Sequence, residues 1–151
     1  MIPQRNLSLL SNRLFREQGG RRIPEAVLQR DYCLAWFLAT LAAHPVREHL
    51  AFKGGTALRR CHFADYRFSE DLDFTMLQAT EFPAIQTSLE EIFATLRAAS
   101  GIEFRIDRVD DLHENSHTFY LAYQGPLPAP DTVKVDITIS ERTLRIDNGV
   151  N

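Results

Sequence analysis

The residues around position 73 constrain the fold more tightly than any other stretch of the chain. Over residues 72–77, Leu72, Phe74 and Met76 alternate with Asp73, Thr75 and Leu77, and Asp71 precedes them. A period of two predicts a β-strand, and residues two apart on a strand project from the same face. Asp71 and Asp73 are therefore expected together on the face opposite the apolar one. Such a strand needs a sheet with one packed side and one wet side. About fifteen residues upstream lies a second signal, Phe52-Lys-Gly-Gly-Thr-Ala-Leu58. Here a glycine pair meets the expected start of a short helix over residues 56–62.

Together the two segments suggest phosphate chemistry. Gly54 and Gly55 let backbone N–H groups approach a phosphate at a helix start, where the helix dipole favours negative charge. Thr56 can cap that helix and donate its hydroxyl to the same oxygens. Lys53 can neutralise charge or simply be solvated. The spacing is not that of a Walker loop. Paired carboxylates on one strand face can hold a hard divalent cation. A third candidate, Asp136, stands on an expected strand over residues 133–139, with Val133, Val135, Ile137 and Ile139 on one face and Lys134, Asp136 and Thr138 on the other. If that strand neighbours the first, all three carboxylates gather at one end of the sheet. Their repulsion would then be offset by a bound ion.

The remaining pattern predicts an α/β (α+β) fold, a mixed sheet with helices packed on one side. Residues 1–22 read as an irregular or weakly helical arm. A buried helix follows from Pro24 to about residue 43, with Leu28, Tyr32, Leu34, Ala35, Leu38, Ala39 and Leu41 facing inward, and Pro45 ends it. Residues 50–52 read as a short strand or a linker, and residues 65–67 as a loop. A second long helix runs from Phe82 to about Ser100, stopped by Gly101. Strands are expected over 102–109 and 118–123, with Tyr120 and Tyr123 on opposite faces. His113 and His117 fall in an expected loop, and the five histidines match no common zinc spacing. In 151 residues this makes one domain, and the net charge of −3 excludes wholesale nucleic-acid binding by global basicity, leaving local arginine clusters. Cys33 and Cys61 read as buried thiols rather than a disulfide framework. With no secretory leader and no apolar run long enough to span a bilayer, a cytoplasmic protein without membrane association is expected.

Lys53-Gly-Gly-Thr-Ala-Leu58 joined to Arg67-Phe-Ser-Glu-Asp-Leu-Asp-Phe74 resembles the AbiEii/AbiGii toxin family of nucleotidyltransferases, within the DNA polymerase β-like superfamily. Arg30-Asp-Tyr32 resembles that family's lead-in, and Val135-Asp-Ile137 its third acidic motif. The likeness covers roughly residues 25–140. It implies that Gly54, Gly55 and Thr56 hold the nucleotide and that Asp71, Asp73 and Asp136 bind Mg²⁺ (or Mn²⁺) and carry catalysis. It also implies that Arg67 and Ser69 position phosphates or brace the loop, and that Lys134 reaches the triphosphate. The implied activity moves a nucleotide from an NTP to an RNA (tRNA in some members) or protein hydroxyl, with a separate antitoxin protein as partner. Such toxins usually continue into a helical C-terminal region. Residues 23–151 therefore read as a nucleotidyltransferase-like domain lacking that region, preceded by the arm. Two alternatives stay open: a weakly active or inactive nucleotide- or partner-binding protein of the same fold, and a nucleotidyltransferase acting on small molecules.

Overall fold

The computed structural model describes residues 1–17, 19, 22–52, 71–113 and 116–139, with backbone alone at 111–113. Two helices, α1 (Gln4–Glu17) and α2 (Glu25–Ala43), lead into a short 3₁₀ turn (Pro45–Glu48) and strand β1 (Leu50–Phe52). Strand β2 (Asp71–Met76) and helix α3 (Phe82–Ser100) follow. Strands β3 (Glu103–His113), β4 (Ser116–Gln124) and β5 (Asp131–Ile139) complete the order. The five strands form one sheet in the order β1-β2-β5-β4-β3. The β2–β5 pair is parallel and the others are antiparallel. The expected mixed sheet with helices on one side is what the chain forms.

The inner face of the sheet follows the period-two pattern. Leu72, Phe74 and Met76 of β2, Val133, Val135, Ile137 and Ile139 of β5, and Phe119, Leu121 and Tyr123 of β4 are all buried with α2 and α3. Phe104 sits at the centre of an aromatic group. Its ring centroid lies 5.4 Å from Phe37, 6.0 Å from Phe93 and 5.4 Å from Tyr123. Helix α3 stops where expected: Gly101 adopts φ 79°, a left-handed cap that glycine takes without a Cβ penalty, and its N–H donates to Arg97 O.

Three expectations are revised, and one open choice is decided. The arm contains a full 14-residue helix, because Leu7 and Leu14 share a stripe that packs with Ile23 and Leu28 in a second apolar cluster. Helix α2 buries Leu28, Cys33, Leu34, Phe37 and Leu41, while Ala35 and Ala39 are exposed and Leu38 is only half-buried, so its inner stripe is rotated from the expected one. Residues 50–52 are a strand rather than a linker. The region of His113 and His117 is the β3–β4 hairpin, not a long loop. His117 is buried there, with Nε2 2.9 Å from the Thr80 carbonyl oxygen. The short helix expected over 56–62, the loop over 65–67 and Cys61 lie outside the described residues.

Candidate active site

Each of the described acidic candidates owes its place to strand register. Because β2 and β5 run parallel, Asp73 stands opposite Asp136 and Asp71 opposite Lys134. Adjacent strands lie about 4.8 Å apart, so side chains at paired positions are neighbours on the same face. That face is the one without helices. Asp71 and Asp73 are exposed, while Lys134 and Asp136, on the more central β5, are half-buried. Strand β1 ends at Phe52, opposite Phe74, and β2 begins at Asp71, so the described ends of both strands lie beside the carboxylates.

Asp136 is held from two sides. The Thr118 hydroxyl, directly across on β4, donates to Asp136 Oδ1 at 2.8 Å. Lys134 Nζ lies 3.8 Å from Oδ2 of the same carboxylate. The result on the open face is one row of opposite charges, Asp71 facing Lys134, and a next row of two carboxylates, Asp73 facing Asp136. As a donor set this suits a hard cation: the oxygens are carboxylate, they come from adjacent strands and they share one face. Among the described residues, however, no group of three or more His, Cys, Asp or Glu side chains is gathered closely enough to hold a metal ion. The expected cluster is thus a shared face and a facing pair. Lys53, Gly54, Gly55, Thr56, Arg67 and Ser69 lie outside the described residues.

The sequence matches the nucleotidyl transferase AbiEii toxin family of type IV toxin–antitoxin systems over residues 36–148. The chain belongs to that family. The AbiEii match takes in β1, β2, α3 and the three C-terminal strands, and so includes Asp71, Asp73, Lys134 and Asp136. No curated protein matches the chain. Membership in the AbiEii family brings an NTP substrate, usually with a divalent metal, and a separate antitoxin as partner. No helix among the described residues is long and apolar enough to cross a membrane.

Three features of this region were missed by the sequence reading. Thr118 becomes visible as a partner of Asp136 only once β4 and β5 are paired. Arg30 of α2 ties the start of β5 to the helix layer: Nη2 donates to Asp131 Oδ2 at 3.3 Å and Nε donates to the Tyr123 hydroxyl at 3.3 Å. Burial pushes the Tyr123 hydroxyl up to about 12 despite the Arg30 contact, so it remains a neutral donor. The third feature is Arg108, which reaches the carboxylate face through an irregularity in β3.

Proposed function

We infer that the chain is a metal-dependent nucleotidyltransferase of toxin type, transferring a nucleotide from an NTP to a hydroxyl of RNA, tRNA among the candidates, or of a protein. The observation that carries this reading is the parallel pairing that sets Asp73 opposite Asp136 on the open face, with Asp71 two residues along. In the reaction the acceptor oxygen attacks the α-phosphorus, a new P–O bond forms, the bond to pyrophosphate breaks, and the hydroxyl proton is released. Asp71, Asp73 and Asp136 would be the residues to hold a Mg²⁺ or Mn²⁺ ion, which would supply positive charge against the phosphate oxygens. Asp136, oriented by the Thr118 hydroxyl, receives the acceptor's proton. Lys134 meets phosphate charge from the row occupied by Asp71. Gly54, Gly55 and Thr56 hold the triphosphate, with Lys53, Arg67 and Ser69 around it; this part of the assignment rests on the sequence motif.

Metal binding by the intact chain tests the assignment without requiring turnover. Titration with Mn²⁺, followed by the fall in its free electron-spin resonance signal, should show binding strengthened by NTP. Asp73→Asn and Asp136→Asn should each weaken it at least about tenfold, because each removes a charged oxygen ligand. Unaltered Mn²⁺ affinity in both variants would reject these residues as the metal site.

A further inference from the structure

Strand β3 carries an irregularity whose effect is specific. Ile106 pairs with Leu121, and Arg108 pairs with Tyr120, so two steps along β3 match one step along β4. Asp107 is the extra residue. In an unbroken strand Arg108 would share the side of Phe104 and Ile106, which pack into the core. The bulge reverses that parity and sends Arg108 to the open face, as bulges beside functional sites often do. There its guanidinium carbon lies 4.0 Å from the centroid of the Tyr120 ring. Tyr120 in turn pairs with Lys134, and Lys134 with Asp71. One row therefore crosses four strands in the order Asp71, Lys134, Tyr120, Arg108.

Resting on the nucleotidyltransferase reading above, we propose that the Arg108–Tyr120 stack is a nucleobase-binding platform, positioning the base of a nucleotide whose phosphates lie at the carboxylates. The stack stands two to three strand spacings, about 10–14 Å, from the Asp71 position. That reach is comparable with the distance from a nucleotide's phosphates to its base. Arg108 is exposed, and its planar guanidinium lies over an aromatic ring, so it offers a flat, weakly hydrated surface. Bases stack on such planes and on aromatic rings. The local charge argues for a base rather than another phosphate: Arg105 is already paired with Asp107 at 2.7 Å, and Arg108 is held first by a hydrogen bond to the Tyr120 side chain, with Asp110 and Asp107 contributing less. The row offers planarity with little net positive charge.

The base can belong to the incoming NTP or to an RNA acceptor, and binding separates the two. Calorimetric titration of the full chain would use each of the four NTPs with Mg²⁺, inorganic tripolyphosphate with Mg²⁺ as a base-free probe, and a short unstructured oligoribonucleotide. Tyr120→Ala and Arg108→Ala should weaken NTP or oligoribonucleotide binding by about five- to a hundredfold, with tripolyphosphate affinity unchanged. Tyr120→Phe, which keeps the ring and loses the hydroxyl bonded to Arg108, should lose less affinity than Tyr120→Ala. Arg108→Lys should not restore it, since lysine keeps the charge and loses the plane. Loss confined to NTP assigns the incoming base; loss confined to the oligoribonucleotide assigns the acceptor. Wild-type affinity for both in the alanine variants, or full rescue by Arg108→Lys, overturns the platform and leaves the carboxylate assignment standing. Failure of the wild-type chain to bind NTP or tripolyphosphate overturns the nucleotide reading and the platform with it.

Discussion

Gly125 follows β4, at the turn that β4 makes under α2. A Cβ there would lie 2.6 Å from Cys33 Sγ and 2.9 Å from Gln29 Oε1. Gln29 cannot easily withdraw, because its Oε1 accepts the Leu127 N–H at 2.6 Å and it is buried. Gly125→Ala should therefore cost about 1–3 kcal/mol by overpacking, measured by urea unfolding. Cys33→Ala in the same chain should recover part of that loss, and strict additivity of the two substitutions would contradict the proposed clash. The sequence shows Gly125 only as a member of a turn-rich connector; the requirement arises from a helix approaching from nearly a hundred residues away, which no local pattern carries. Asp31 offers a second residue-level test. Burial raises its carboxyl above the ordinary 3.8. The folded chain therefore holds the proton at a pH where the unfolded chain has released it. Stability associated with this group is fully present below the unfolded value and is lost as pH rises through the raised folded value. Asp31→Asn should be more stable than wild type at neutral pH, with the advantage vanishing below the ordinary carboxylate range. The same offset in urea midpoint at both pH values would argue against this origin.

At the level of elements, helix α2 shows what periodicity can and cannot assign. Its existence and its end before Pro45 follow directly from composition and proline geometry. Its inner stripe does not, because the helix is apolar nearly all round and several faces satisfy a helical period. Tertiary packing selects the face of Leu34, Phe37 and Leu41. Phe37 is fully buried against Phe93 and Phe104, so Phe37→Ala should cost about 3–5 kcal/mol. Leu38→Ala, at a half-buried position, should cost clearly less; chemical denaturation giving the reverse order would contradict the observed orientation. Helix α3 was legible at both ends because Pro83 and Gly101 mark them. Strand β3 was legible only in part: alternation identifies it, but a bulge changes parity without changing composition, so the facing of Arg108 could not be read in advance.

On the scale of the whole molecule, the arrangement is a sheet with helices α2 and α3 on one face and the carboxylates on the other. The alternating patterns of β2 and β5 predict which face each acid takes. They do not predict adjacency, since strand order depends on long-range pairing. The parallel β2–β5 pairing supplies it and places residues 63 positions apart in direct register, Asp73 opposite Asp136. The central claim is that this facing pair, with Asp71, supports nucleotide transfer. The most direct measurement is incorporation of label from α-³²P-NTPs into an RNA or protein acceptor by the purified chain with Mg²⁺, compared with Asp73→Asn and Asp136→Asn variants shown to unfold at the wild-type midpoint. We predict metal-dependent labelling in the wild type and a loss of at least about a hundredfold in each variant, as expected when charge compensation in the transition state is removed. Labelling that persists at the wild-type rate in both variants would contradict it.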